Sequence, residues 1–275
     1  MTMVAVSGVR LSCEISGAGE IPLVMVHGSW VTRRDWDRVV PHLADRYRVL
    51  TYDRRGYGES ERLSGRGSVR EHAADLAALI EQLELAPAWV AGNSFGGSIT
   101  LRLAGERPDL LRGITVHEPP LYSLVSDDST VAPSVEEDMR TDAAVVERIA
   151  SGDHAGAAKE FMEANAPGLW AQSSPELRHA IIEAAPAFFD EASDRDFYAL
   201  DLEGIRRFRH PTLLTRGDQS PPQYAPVISR LAEVLPSAEV SVFEGAGHVP
   251  HTEMPDDYVE ALTTFMRTPP LPHEV

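Results

Sequence analysis

A serine flanked by two glycines is the feature of this chain with the clearest potential for chemistry. The segment Gly92-Asn93-Ser94-Phe95-Gly96 follows a short apolar run at residues 88–91 and precedes an apolar segment with helical spacing. A strand that turns sharply into a helix strains its central residue, and glycines two positions away on either side avoid a collision. The pattern predicts a nucleophile elbow that exposes the Ser94 hydroxyl. The backbone N–H of Phe95 would face any oxyanion formed there.

A serine hydroxyl is a weak nucleophile until a base removes its proton. His248 is the candidate base because it ends the glycine-rich loop Gly245-Ala246-Gly247-His248, which follows the last predicted strand. From that loop its ring can reach toward Ser94. His251 is close in sequence and is the fallback base, whereas His27 comes too early in the chain and is expected to shape a turn.

Strand and helix patterns alternate over most of the chain. Continuous apolar runs such as residues 21–26 are typical of strands buried on both faces, and residues 69–85 carry an apolar stripe with helical spacing. This alternation predicts an α/β fold, in which a parallel sheet has helices on both faces. Four predicted strands end in polar groups that would share the sheet edge where such folds bind ligands. These groups are His27, Asp53, Ser94 and Glu118.

The alternation stops at residues 121–207, where the patterns are helical. Ser134 resembles the start of a helix with a capping box, and Ser174 is followed by a proline suited to the first helical turn. We expect this segment to form a helical cap over the carboxyl edge of the sheet. The core would then comprise residues 1–120 and 208–275, with a loose, Pro-rich tail from residue 268.

Four motifs spread over nearly the whole chain carry a family resemblance. They are His27-Gly28-Ser29-Trp30, Asp53-x-Arg55-Gly56-x-Gly58-x-Ser60, Gly92-Asn93-Ser94-Phe95-Gly96-Gly97 and Gly245-x-Gly247-His248. Together they resemble the motifs of α/β-hydrolase-fold proteins that carry a cap, such as esterases and lactonases. The resemblance implies a mostly parallel, eight-stranded sheet. It also implies that the N–H of Ser29 is the second oxyanion donor and that Asp53 has a structural role, while Trp30 could line the pocket.

The acid that should accompany the histidine departs from the commonest pattern of this family. Its usual position, three residues after Gly217, is occupied here by Ser220, which cannot stabilise an imidazolium as a carboxylate does. Glu118 is the preferred acid, because it ends the strand after the elbow helix and the two prolines that follow it restrict its backbone. Asp218 is the fallback acid and would need a rearranged loop.

The residue at the elbow limits the reaction type. Family members that open epoxides or remove halides use an aspartate there, so Ser94 favours acyl chemistry on an ester or lactone. Two alternatives stay open: a carbon–carbon bond hydrolase or haloperoxidase-like member with the same site, and a member that only binds a ligand. Aromatic residues of the predicted cap suggest a partly apolar substrate, and Trp170 is the cap residue that could line the pocket together with Trp30.

Composition excludes several other classes of function. The 275 residues carry a net charge of −17, which disfavours nucleic acids and anionic membrane surfaces as partners. The single cysteine, Cys13, cannot form an intrachain disulfide, and the N-terminus has no basic, apolar leader. We therefore expect a cytoplasmic protein, a monomer or homodimer, that acts on a small molecule. No metal or cofactor is expected, because neither ligand spacing nor a phosphate loop is found.

Overall fold

One sheet of eight strands organises the fold. The computed structural model describes residues 1–165 and 168–267, so the predicted tail lies outside the described residues. The strands are Thr2–Val6 (β1), Val9–Ser16 (β2), Ile21–Val26 (β3), Tyr47–Tyr52 (β4), Ala88–Asn93 (β5), Leu111–His117 (β6), Thr212–Gly217 (β7) and Ala238–Phe243 (β8). Their spatial order is β1-β2-β4-β3-β5-β6-β7-β8. The pairs β1–β2 and β2–β4 are antiparallel, whereas the other five pairs are parallel, so the predicted mostly parallel sheet is confirmed.

Helices connect the parallel strands. They are Val40–Leu43 (α1), Val69–Gln82 (α2), Phe95–Glu106 (α3), Ala132–Ala150 (α4), His154–Asn165 (α5), Leu169–Gln172 (α6), Pro175–Ala192 (α7), Leu202–Ile205 (α8), Tyr224–Val234 (α9), Pro250–Glu253 (α10) and Pro255–Arg267 (α11). Helices α4 to α8 all lie between β6 and β7, within the segment predicted as a cap. The exact division between core and cap stays a prediction.

Alternating residues of the central strands supply the two apolar layers of the core. In β5, Val90 packs into the cluster that also holds Val24 and Val116, whereas Trp89 and Ala91 pack into the cluster on the other face. Successive side chains of a strand point to opposite faces, so a strand buried on both sides must be apolar throughout. This requirement explains why β5, which lies in the middle of the sheet, has an almost continuous run of apolar residues.

The two predicted helix starts in the cap segment have different outcomes. Ser174 caps α7, with its hydroxyl accepting from the N–H of Leu177 at 3.2 Å. The prediction for Ser134 is wrong, because α4 already begins at Ala132. The Ser134 hydroxyl instead donates to Gln223 Oε1 at 2.6 Å, so its side chain serves a tertiary contact.

The loop after β4 is held by buried acids. The Asp53 carboxylate accepts from the N–H groups of Arg33 at 2.8 Å and Glu59 at 3.2 Å, which supports the structural role implied for it. Arg55 donates through Nε and Nη2 to the two oxygens of Asp75 on α2, at 2.7 and 2.8 Å. Both side chains of this pair are almost completely buried. A bidentate pair of this kind fixes the loop against the helix.

We expect Asp75→Asn to lower the free energy of unfolding by about 3–5 kcal/mol, because it leaves the buried Arg55 charge without its partner. Urea unfolding followed by circular dichroism measures this change. Asp109→Asn is the control, since it removes a carboxylate from an exposed ion pair with Arg107 and should cost less than about 1 kcal/mol. Equal losses in the two variants would contradict the expectation.

Candidate active site

Ser94 occupies a strained turn between β5 and α3. Its φ of 55° and ψ of −127° lie in a region that side-chain-bearing residues rarely adopt. The flanking glycines permit this turn, because a Cβ on Gly92 would lie 2.3 Å from the carbonyl oxygen of Gly96. A Cβ on Gly96 would lie 2.2 Å from the carbonyl oxygen of Val26. The turn has the strand–turn–helix form predicted for a nucleophile elbow.

The structure brings His248 and Glu118 into direct contact. His248 Nδ1 lies 2.7 Å from Glu118 Oε2, so the imidazole N–H donates a short hydrogen bond to the carboxylate. The Glu118 side chain is fully buried, whereas the imidazole of His248 is 22% exposed. With Nδ1 engaged in this way, Nε2 is the ring nitrogen of His248 that can exchange a proton with another group.

Two further donors hold the carboxylate of Glu118. The N–H of Gly217 donates to Oε1 at 2.8 Å, and the Ser220 hydroxyl donates to Oε2 at 2.9 Å. Burial by itself would raise the pKa of Glu118, but the imidazole of His117, with Nε2 3.5 Å from Oε2, and the hydrogen bond to His248 hold that pKa well below its usual range. The group is therefore an ionised carboxylate at neutral pH.

Strand pairing places Ser94 at the same sheet edge as this pair. Asn93 and His117 are register partners at the ends of β5 and β6, and the N–H of Ser94 donates to the carbonyl of His117 at 2.8 Å. The His117 and His248 rings have centroids 6.1 Å apart. Tyr224 stacks on the His248 ring at a centroid distance of 4.9 Å and fixes its plane.

The fallback residues have other partners. Asp218 is exposed, and its Oδ1 accepts from the N–H of Gly245 at 2.8 Å, so it braces the loop after β8. His251 is buried beside Trp36, and its Nε2 lies 2.8 Å from Asp35 Oδ2. Both side chains are thus committed to contacts outside the pair formed by His248 and Glu118.

The loop from His27 to Trp30 packs directly on the elbow. A Cβ on Gly28 would lie 3.1 Å from Ser94 Cβ and 3.7 Å from its Oγ. The His27 ring is buried and keeps a neutral form, because burial and the charge of Arg54 hold its pKa well below its usual value. Its Nδ1 lies 2.8 Å from the carbonyl oxygen of Gly28, a contact that shapes the turn as expected.

The two tryptophans predicted to line a pocket differ in their surroundings. Trp30 is buried and stacks on Phe161 of α5 and on Phe188 of α7, with centroid distances of 5.1 and 5.0 Å. Trp170 is partly buried, and the guanidinium of Arg178 lies 5.7 Å from the centre of its ring. Trp30 therefore joins the loop beside the elbow to helices α5 and α7.

A polar group on α4 was not foreseen from the sequence. Asp138 Oδ2 accepts from the hydroxyl of Tyr122 at 2.7 Å and from Gln223, and Asp142 Oδ2 accepts from the hydroxyl of Tyr198 at 2.6 Å. Burial raises the pKa of Asp142 to about 7; the hydrogen bond from Tyr198 opposes this shift and the charge of Asp138 adds to it. The signal in the sequence was the spacing of four between two acids on one helix.

One group of ligand atoms in the described part of the chain has the spacing of a metal site. His117, Glu118 and His248 each bring one such atom to within 4.8 Å of the others. His248 Nδ1 is hydrogen-bonded to Glu118 Oε2, and His117 Nε2 lies 3.5 Å from the same oxygen.

Comparison with known proteins defines the family. The sequence model of the alpha/beta hydrolase fold matches residues 21–255, so the chain belongs to this family. A non-heme chloroperoxidase from Streptomyces lividans is 28% identical over 90% of this chain and 92% of that protein. A 2-hydroxy-6-oxo-2,4-heptadienoate hydrolase from Pseudomonas putida is 27% identical over 96% of this chain and 95% of that protein.

A solved structure extends the comparison to three dimensions. A thermophilic esterase from Thermogutta terrifontis has a TM-score of 0.79 and 25% identity, covering 97% of this chain and 98% of that one. The family and this likeness confirm the predicted fold and indicate a hydrolase. Within residues 1–165 and 168–267, no helix combines the length and apolar character needed to cross a membrane.

The raised pKa of Asp142 predicts a pH-dependent stability. The unfolded carboxyl ionises near its ordinary value of 3.8, whereas the folded one ionises near 7, so this group lowers stability progressively as the pH rises from about 4 to 7. Asp142→Asn should therefore raise the melting temperature more at pH 8 than at pH 5. Glu147→Gln, an exposed position on the same helix, is the control. A shift of the same size at both pH values would contradict this assignment.

Proposed function

We propose that this protein is a serine hydrolase that cleaves a carboxylic ester or lactone through an acyl-serine intermediate. Ser94 is the nucleophile, His248 is the base and Glu118 is the acid. The observation that carries the proposal is the 2.7 Å contact between His248 Nδ1 and the buried carboxylate of Glu118, at the sheet edge that carries Ser94. The substrate is a small, partly apolar molecule, and a cytoplasmic monomer or homodimer remains the expectation.

Acylation follows from these roles. His248 Nε2 takes the proton of Ser94 Oγ as the oxygen attacks the substrate carbonyl, and Glu118 stabilises the imidazolium. The backbone N–H groups of Ser29 and Phe95 stabilise the oxyanion of the tetrahedral intermediate. The imidazolium then protonates the leaving alcohol as the carbon–oxygen bond breaks. A water molecule, deprotonated by His248, releases the acid and regenerates Ser94.

A carbon–carbon bond hydrolase is the second candidate, supported by the similarity to the heptadienoate hydrolase. The surroundings of His248 favour the neutral ester or lactone. Asp138 is bonded to Tyr122, whose ring contacts Tyr224, and Tyr224 stacks on His248, so an ionised Asp138 would disfavour a substrate that carries a carboxylate. A chromophoric dienoate, tested beside p-nitrophenyl acetate, separates the two activities. The chloroperoxidase likeness calls for a bromide-dependent halogenation assay in parallel.

We expect a fluorophosphonate to add one adduct to the wild-type chain and none to Ser94→Ala, because only an activated serine attacks the phosphorus. Intact mass spectrometry measures both. Ser98→Ala, on the same helix, is the control and should be labelled like the wild type. An unlabelled wild-type chain would contradict the serine hydrolase proposal and would favour the alternative that the protein only binds a ligand.

The choice between the two acids is tested on p-nitrophenyl acetate. Glu118→Gln should lower kcat by about 10³–10⁴-fold, because the neutral amide no longer stabilises the imidazolium. Asp218→Asn should change kcat by less than about threefold, since its carboxylate only braces a loop. If Asp218→Asn causes the larger loss, the acid has been assigned to the wrong residue.

A further inference from the structure

A completely buried ion pair joins the cap to the core. Glu191 belongs to α7, and its Oε1 accepts from Arg54 Nη1 of the loop after β4. Neither side chain has any exposed surface. His72 Nε2 of α2 lies 3.3 Å from the same oxygen. Burial opposes ionisation of Glu191, but Arg54 and His72 lower its pKa to about 2.

The other oxygen of Glu191 contacts the loop beside the elbow. Ser29 Oγ donates to Oε2 at 2.6 Å, and Tyr57 donates its hydroxyl to the same atom at 2.9 Å. Ser29 is the residue whose N–H is assigned to the oxyanion. The carboxylate of Glu191 is therefore bonded both to Ser29 and to the guanidinium of Arg54.

Arg54 holds the rest of this loop. Its Nη2 donates to the carbonyl oxygen of Gly28 at 2.8 Å, and its backbone N–H donates to His27 Nε2 at 2.9 Å. Since Gly28 packs on Ser94, any shift of the loop would move the Ser29 N–H relative to the reacting oxygen. Donors to an oxyanion must be placed within fractions of an ångström to be effective.

A buried ion pair contributes little net stability to the contact between two elements. Desolvating two charges costs several kcal/mol, and well-packed apolar side chains of the same volume often stabilise a fold equally well. The geometry here gives the pair another use, because each of its members also bonds to the loop at residues 27–29. Packing of Trp30 on Phe161 and Phe188 already supplies an apolar contact between the same loop and the cap.

We propose that Glu191 is a positioning residue, a cap carboxylate that fixes Ser29 and, through Arg54, the loop that donates to the oxyanion. This inference rests on the proposed function. If Glu191 has this role, the catalytic rate depends on the position of helix α7 relative to the loop at residues 27–29, although Glu191 itself does not contact the substrate.

The test compares variants by the second-order rate of fluorophosphonate labelling and by kcat and KM on p-nitrophenyl acetate. Glu191→Gln should lower the labelling rate and kcat by about 10–100-fold while KM changes by less than about threefold, because a misplaced donor weakens the transition state rather than binding. Ser29→Ala keeps the backbone N–H and the ion pair and should lower kcat by about 3–10-fold. It serves as the test if Glu191→Gln does not fold.

Asp190→Asn is the matched control. Asp190 precedes Glu191 on α7 and its carboxylate is also buried, but it bonds to Arg62 Nε and the Gly65 N–H, both at 2.9 Å. This variant should lose stability and keep kcat, because its partners lie outside the oxyanion loop. If Asp190→Asn and Glu191→Gln lower kcat equally, Glu191 has only a structural role and the inference is overturned.

The double variant Ser29→Ala/Glu191→Gln should lose little more activity than Glu191→Gln alone, since both changes break one contact. Additive losses would overturn the inference.

Failure of this inference can be distinguished from failure of the proposed function. A wild-type chain that is not labelled contradicts the hydrolase and the inference together. A labelled wild type, with a folded Glu191→Gln labelled at the same rate, contradicts the inference alone.

Discussion

The parallel pairing of β5 with β6 is the constraint on which the candidate site depends. The register aligns Asn93 with His117, so the next residue of each strand, Ser94 and Glu118, leaves the sheet at the same level. Both residues have positive φ, 55° and 41°, and both therefore turn their chains away abruptly at the edge. Buried apolar strands fix this register, because a shift of one residue would turn every core side chain to the opposite face.

The same edge explains how the proposed acid, Glu118, can lie one strand away from the usual position of the acid in this family. Strand β7 lies between β6 and β8, and the N–H of Gly217 at its end donates to the carboxylate of Glu118. The longer arm of glutamate spans this strand end and meets His248 in the loop after β8. Ser220 occupies the usual acid position and donates its hydroxyl to Glu118 instead. The residue at the usual acid position is thus a hydrogen-bond donor to the carboxylate, whereas an acid there would be an acceptor.

The sheet, its order of elements and the residues of the elbow could be predicted because their signals are local. Apolar runs define buried strands, and glycines two positions from Ser94 are required by contacts within the turn. The start of α4 was misplaced, because the hydroxyl of Ser134 is engaged by Gln223, 89 positions away, rather than by its own helix. Arg54 and Glu191 are 137 positions apart, and neither has a neighbour in sequence that signals the other.

These long-range contacts involve helices of the predicted cap, where the acids of α4 and of α7 have different surroundings. Asp138 and Asp142 face tyrosine hydroxyls, so their cost of burial is met by neutral donors and the pKa of Asp142 rises. Glu191 faces Arg54, so its cost of burial is met by an opposite charge and its pKa falls. Removal of Glu191 would leave a buried guanidinium without its counter-charge beneath the loop that contacts the elbow.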